Sequence, residues 1–284
     1  MTTPRKTWFI TGASSGFGYA FAEHALSRGY NVVAAARNAS KLEMLVEKSS
    51  ERVLPVTLDV DRPDDARVAI EAAIGRFGRI DVLINNAGYG IIGAIEETPE
   101  TELRAVMETN FFGAVAVIKA ALPTLRAQGF GAIVNISSLG GQLSFAGAGA
   151  YSASKFALEG ISEALAQEMI PFGVKMLIVE PGAFRTGFAG SALRSMPIID
   201  PYRDAVGQSR KVVRDMNNVQ AGDPRKAAEA IEQALNAETT PLRLQLGADA
   251  VASVRAHAEI LLSDMAKWER VSVATGFDSE TRAT

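Results

Sequence analysis

The sequence predicts an α/β protein built as a doubly wound parallel sheet. Short Val- and Ile-rich runs alternate with longer amphipathic segments from Thr7 to Val179. The runs are apolar at successive positions, as in strands covered on both faces. The first run passes straight through a glycine-rich turn into a helix-like segment, where such folds place ligands.

Six runs read as strands: Thr7 to Thr11, Asn31 to Ala36, Val53 to Thr57, Asp81 to Asn85, Ala132 to Ile136 and Val174 to Val179. Each is short and bounded by turn residues. Helices are expected over Gly18 to Arg28, Asp64 to Phe77, Thr98 to Gln128 and Tyr151 to Ile170. Pro63 sits where a first helical turn tolerates it. The pattern weakens over 187–222, where Gly, Pro and charge are scattered, and a substrate-binding loop or lid is expected there. A helix over Asp223 to Asn236 and a last strand over Arg243 to Gln245 follow. The C-terminal part, 248–284, reads as a closing helix from Ala248 to Glu269 and a loose tail after Ala274. No repeat, low-complexity segment or linker divides the chain, so a single domain over 1–284 is expected.

Composition narrows the classes. The chain has 284 residues, 48% of them hydrophobic, enough for one sizeable core. A net charge of -3 gives no basic field for nucleic acid. The absence of cysteine rules out disulfides and thiolate metal sites, including a Cys-ligated zinc centre. No metal is called for; Asp59 and Asp61 are spaced for a chance carboxylate pair, and His24 and His257 read as structural. Met1 to Lys6 lacks the features of a signal peptide. The apolar stretch Phe111 to Leu125 is interrupted by Lys119 and Pro123 and falls short of a membrane span. A soluble, cytoplasmic protein is expected.

The turn after the first strand reads Thr11-Gly12-Ala13-Ser14-Ser15-Gly16-Phe17-Gly18. Glycines let backbone approach a pyrophosphate, and the following helix N-terminus offers free N–H groups to the anion. The spacing differs from G-x-G-x-x-G, and taken alone it also suits an ordinary tight turn. The second strand ends Ala34-Ala35-Ala36-Arg37. A carboxylate there would hold a ribose 2'-hydroxyl; its absence, followed by a cation, favours NADP over NAD. Arg37 alone equally fits a solvated loop charge.

Tyr151 and Lys155 are four residues apart on an expected helix, hence on one face. A nearby ammonium is expected to lower the phenol pKa toward the range useful for acid–base work. The pair alone arises often by chance. Ser137-Ser138 ends the strand Ala132 to Ile136, where a hydroxyl can polarise a substrate oxygen or simply terminate the strand. Asn110, in an apolar helix, is a structural amide or part of a polar relay.

These motifs, in this order, resemble the short-chain dehydrogenase/reductase family of single-domain majority type, and the likeness runs from about Trp8 to Leu246. Thr11-Gly12, Gly16 and Gly18 match its T-G-x-x-x-G-x-G loop; Ser14, Ser15 and Phe17 lie within it. Asp59-Val60 resembles the pair flanking the adenine, and Asn85-Asn86-Ala87-Gly88 matches its N-N-A-G element. Pro181-Gly182, with Phe184 and Thr186, resembles the P-G-x-x-x-T segment at the nicotinamide carboxamide. The resemblance implies a Rossmann fold, NADP(H) as cofactor and a catalytic set of Asn110, Ser138, Tyr151 and Lys155. Tyr151 would exchange the proton, Ser138 orient the substrate oxygen, Lys155 bind the nicotinamide ribose, and Asn110 help connect Lys155 to water. Phe17 departs from the usual aliphatic residue, and Ser15 stands where many NADP-preferring members carry a base.

The implied activity is hydride transfer between nicotinamide and a carbonyl or secondary alcohol, with an NAD-dependent alcohol dehydrogenase or a non-catalytic NADP-sensing regulator as alternatives. Tyr89, Leu139, Gln142, Phe145, Phe188 and Met196 are candidate pocket walls and hint at an apolar substrate. The family's pairing of its fifth and sixth helices implies a homodimer or homotetramer, which the small residues of Ala114 to Ala121 permit.

Overall fold

The computed structural model describes residues 4–277. Seven strands form one parallel sheet: β1 (Thr7–Thr11), β2 (Asn31–Ala36), β3 (Val53–Thr57), β4 (Val82–Asn85), β6 (Gly131–Ile136), β7 (Val174–Pro181) and β9 (Arg243–Leu246). Their order is β3-β2-β1-β4-β6-β7-β9. The order reverses between β1 and β4, so the carboxyl ends of these two strands diverge and leave a crevice. β1 registers Trp8 opposite Val82 on one side and Val32 on the other.

Each apolar run divides its side chains between two layers. Trp8, Ile10, Val32, Ala34 and Leu177 point to one face, where α1 (Gly16–Ser27) supplies Phe21 and Ala25 and α8 (Pro224–Asn236) supplies Ala228 and Ile231. Phe9, Val33, Leu83 and Ile133 point to the other. There α3 (Pro63–Phe77) contributes Ala66 and Ile70, α5 (Ala114–Gln128) Val117 and Leu125, and α6 (Gly149–Glu168) Leu165. Each large side chain so buried contributes about 1.5–3 kcal/mol. His24 and Tyr30 both bond Glu232, which joins α1 to α8.

The expected helix over Thr98 to Gln128 begins two residues later, as α4 (Glu100–Met107), and runs into α5 through a π-turn at Glu108–Gly113. Neither the turn nor Pro123 breaks it. The continuous helix spans 29 residues, and its most apolar 18-residue window has a mean hydropathy of 1.4, so by length and composition alone it could cross a membrane. One face nevertheless packs on the sheet through Val117, Ile118, Ala121 and Leu125, while Val106 enters a small core with Ile91. Ala114 and Ala121, expected to permit pairing of subunits, are buried within their own chain.

Four elements have no counterpart in the sequence reading: α2 (Glu43–Lys48), β5 (Gly90–Ile92), β8 (Leu193–Ser195) and α7 (Arg203–Asp215). β5 and β8 have three residues each, too few for periodicity, and pair in parallel as a separate ribbon. α7 is mostly polar, and Val206 is its buried apolar residue. The segment 187–222 is therefore structured. α9 extends over Ala248–Val273, beyond the expected end at Glu269. Of the tail expected to be loose, residues 278–284 lie outside the described residues.

A buried ion pair fastens α7 to the loop after β5. Arg210 donates to Glu97 at 2.7 Å, to Ser195 Oγ at 2.7 Å and to the Met196 carbonyl at 3.0 Å. The other Glu97 oxygen accepts from the Ile199 N–H at 2.9 Å. Removing one member of such a pair leaves an uncompensated buried charge. Glu97→Ala is expected to lower stability by about 3–5 kcal/mol in urea melts. Hydrogen exchange should accelerate first over 203–215; uniform acceleration across the sheet would contradict this anchoring.

Candidate active site

The site begins where β1 and β4 end. Thr11 Oγ1 accepts from the backbone N–H groups of Asn86 at 2.9 Å and Ala87 at 3.0 Å. Asn86 Nδ2 returns a bond to the Thr11 carbonyl at 2.9 Å. This clasp holds the N-N-A-G loop against the glycine turn. Gly12 and Gly16 adopt φ of +66° and +53°, a region that glycine enters freely. A Cβ on Gly18 would overlap the Gly12 carbonyl oxygen. Ser15 caps α1 in extended conformation without a side-chain bond to the helix, and Ser14 is half-buried beside it. The N-terminal dipole and backbone N–H groups of α1 thus form a cradle suited to an anionic pyrophosphate.

Two residues after β7 close on that cradle. Phe184 packs on Phe17 with centroids 5.0 Å apart, and Phe17 stacks on Phe21 at 5.4 Å. A Cβ on Gly16 would lie 3.3 Å from Thr186 Cβ. The unusual Phe17 is therefore the link between the glycine turn and the P-G-x-x-x-T segment. Gly182 donates to the Leu246 carbonyl at 2.9 Å. A Cβ on it would strike the Asp249 carboxylate, which accepts from the Ala183 N–H at 2.7 Å. Asp249, in the first turn of α9, escaped the sequence reading; an acid at a helix start carries no signal of which loop it will meet.

Arg37 is exposed at the end of β2 and makes no ion pair among the described residues, while Ala36 is buried. Asp59 Oδ1 accepts from the Asp61 N–H at 3.3 Å. Val60 packs beneath Gly113 of the π-turn, a kind of helix defect frequent at functional sites.

The residues expected to carry acid–base chemistry meet at the end of β6. Tyr151 and Lys155 share one face of α6, with Lys155 Nζ 5.8 Å from the Tyr151 ring centroid. Nζ is buried and donates to the Ile136 carbonyl at 2.8 Å. Ser138 Oγ accepts from the Gly140 N–H at 3.0 Å and lies close enough to the Tyr151 phenol to favour its ionised form. Burial pushes the phenol up from 10.0 to about 12, and Ser138 opposes that rise. The expected lowering by Lys155 is not among the influences on the phenol. Burial also brings the Lys155 ammonium down to about 8, against an opposing attraction from Glu159. At neutral pH the phenol holds its proton and most of Lys155 stays charged.

The Asn110 side chain does not bond Lys155. Its amide donates to the Tyr89 carbonyl at 2.9 Å and Ser154 Oγ at 3.0 Å, and its oxygen accepts from the Tyr89 N–H at 3.0 Å. It fixes the loop after β4 to α6. Between Asn110 Oδ1 and Lys155 Nζ stands Gly88, whose missing side chain leaves that space open.

Below Ser138 lies a buried carboxylate cluster that the sequence reading did not include. Glu159 accepts from Ser137 Oγ at 2.7 Å, from Gln142 and from Arg243 Nε at 3.0 Å. Burial raises the adjacent Glu180 to about 7, and the Glu159 charge adds to the rise. Glu159 is one helical turn beyond Lys155, the spacing by which it could have been found.

The pocket candidates divide. Phe188 lies 5.5 Å from the Tyr151 ring, centroid to centroid, and shares the space above Gly90 with Leu193. Leu139 is half-buried in the turn after Ser138, and Phe145 is exposed. Gln142 is instead held by Glu159, Met196 is buried in a small core with Ile91 and Val106, and Tyr89 carries Arg194 over its ring at 4.3 Å.

A family profile described as short chain dehydrogenase matches residues 6–196. Oxidoreductase BOA17 of Botryotinia fuckeliana is 41% identical over 95% of this chain and 99% of its own. The 3-ketodihydrosphingosine reductase of Bacteroides thetaiotaomicron is 41% identical over 84% and 86%. A short-chain dehydrogenase structure from Streptomyces avermitilis superposes with a TM-score of 0.92 at 46% identity, covering 97% of this chain and 100% of the other. Two structures at 26% identity hold a nicotinamide cofactor. One, from Burkholderia phymatum, is in complex with NAD, with a TM-score of 0.80 over 93% and 97% of the chains. The other, from Burkholderia cenocepacia, is in complex with NADP, with a TM-score of 0.73 over 94% and 98%.

The position of the phenol gives a direct test. Its pKa is raised, so the neutral form persists through the ordinary tyrosine range. The Tyr151 tyrosinate signal, taken as wild type minus Tyr151→Phe in an ultraviolet pH titration without nucleotide, is expected near pH 12. A step below pH 10 would overturn the assignment of burial as the dominant influence.

Proposed function

Because the chain belongs to the short chain dehydrogenase family of oxidoreductases, we propose that it is an NADP-dependent reductase of a largely apolar ketone or aldehyde, also able to oxidise the corresponding secondary alcohol. The observation that carries this reading is the Tyr151 phenol beside Ser138 and Lys155 at the end of β6. The glycine cradle beside it fits a dinucleotide, since side chains at Gly12 or Gly18 would meet neighbouring backbone. Gly12, Gly16 and Gly18 would receive the pyrophosphate, Asp59 and Val60 the adenine, Arg37 the 2'-phosphate, and Phe184 and Thr186 the nicotinamide side. When bound, the reduced nicotinamide supplies the hydride.

The protein's own part is proton transfer and orientation. The substrate oxygen accepts hydrogen bonds from Ser138 and Tyr151 as negative charge develops on it. Tyr151 then releases its phenolic proton to that oxygen. A phenol near pKa 12 remains protonated until the developing alkoxide takes the proton, which favours reduction. The Lys155 ammonium, held by the Ile136 carbonyl, is placed to bond the nicotinamide ribose and to stabilise the phenolate left behind. Asn110 keeps the loop around Gly88 in place beside it. Phe188 and Leu193 supply an apolar wall next to the phenol, in keeping with the apolar substrate proposed.

Tyr151→Phe is expected to lower kcat for NADPH-dependent reduction across a panel of apolar ketones by roughly 10²–10⁴-fold, with NADPH affinity nearly unchanged. Equal NADPH oxidation by both proteins would refute the catalytic role. A wild type that binds NADPH but reduces nothing in the panel would support a nucleotide sensor instead. For the cofactor, wild type should bind NADPH at least about tenfold more tightly than NADH, about 1.4 kcal/mol. Arg37→Ala should erase the difference; equal affinities in wild type would defeat the NADP assignment.

A further inference from the structure

Helix α9 leaves the body of the molecule partway along its length. Ala250 is buried, and Ser253, Val254 and His257 are half-buried near β9 and the turn after Ser138. From Ala258 to the end of the helix at Val273 every residue is exposed, a span of about 24 Å at 1.5 Å per residue. The apolar side of the helix runs from the docked part into this projecting part. Val251, Val254, Ala258, Leu261, Met265 and Trp268 follow each other at alternating spacings of three and four, the a/d seam of a helix that packs against another helix. Leu261, Met265 and Trp268 are 52%, 68% and 63% exposed, and Leu262 flanks them at 64%. The face that lands on the body through Ala250, Val254 and His257 thus continues outward without a surface beneath it. Contiguous exposed apolar surface of this kind marks an interaction site.

We propose that a second copy of this chain covers it, with the two α9 helices antiparallel about a twofold axis near Leu262. The charges flanking the seam are self-complementary in that arrangement. Arg255 and Glu269 lie equally far before and after Leu262, on the same flank, and neither forms an ion pair among the described residues. Antiparallel pairing brings each Arg255 to the other copy's Glu269, twice by symmetry, while Leu261 of each helix meets Met265 of the other. A lipid surface is a poorer match. The helix carries the carboxylates of Asp249, Glu259, Asp264 and Glu269 against three cations, Arg255, Lys267 and Arg270, whereas anionic membranes select a basic polar face.

Sedimentation of the full-length protein tests this. Leu261→Glu with Trp268→Glu should halve the sedimenting mass at a fixed concentration. Arg255→Glu alone and Glu269→Arg alone should each weaken association several-fold, and the double reversal should restore it. The chain has no cysteine, so single thiols report geometry without background. Leu262→Cys should give a covalent dimer on mild oxidation, and Ala256→Cys, on the opposite face, should not. An unchanged mass for the double glutamate variant would overturn the proposal, as would failure of Leu262→Cys to cross-link. So would co-flotation of wild type with vesicles of phosphatidylcholine and phosphatidylserine without self-association.

Discussion

The site rests on an ammonium group buried at the end of β6. Lys155 Nζ is buried, and its compensation is one hydrogen bond donated to the Ile136 carbonyl and the attraction of Glu159 one turn on. A buried charge is tolerated only when paired or hydrogen-bonded. That requirement fixes the register of α6 against the sheet, because Nζ must reach a carbonyl at the strand's end. The same register sets Tyr151 beside Ser138. Burial then acts on both groups in opposite senses, drawing the amine down and the phenol up. At neutral pH the phenol keeps its proton, with its ring beside that of Phe188.

Around this core, each supporting contact limits a degree of freedom. Asn110 ties the loop after β4 to α6 through Tyr89 and Ser154. Thr11 and Asn86 tie that loop to the glycine turn. Phe17 and Phe184 tie the turn to the segment after β7, and Asp249 braces that segment from α9. The glycine cradle, the Tyr151 phenol and the closing helix are therefore joined by short-range bonds rather than by the sheet alone. Precise placement of reacting groups is worth more to such chemistry than added binding strength.

The strand–helix alternation was legible because strands buried on both faces must be apolar at every position, as Phe9 and Ile10 on opposite faces of β1 show. The glycine turn was legible because Gly12, Gly16 and Gly18 meet steric demands that other residues fail. The segment 187–222 was not. Its order comes from contacts distant in the chain, such as the buried pair of Arg210 with Glu97, 113 positions apart, and the pair of Arg194 with Glu102, and from β5 and β8, three residues each. Gln142 and Met196 were assigned to the pocket by position alone; Glu159 and the small core around Ile91 claim them.

By itself the sequence determined the parallel sheet, the anion-binding turn and the shared helical face of Tyr151 and Lys155. These follow from local rules: burial periodicity, steric freedom at glycine and the pitch of a helix. Only the tertiary structure decided the direction of the Tyr151 shift, the role of the Asn110 amide, the carboxylate cluster at Glu159 and Glu180, and the order of 187–222. Those depend on desolvation and on partners distant in the chain, and both quantities exist only after the elements have packed.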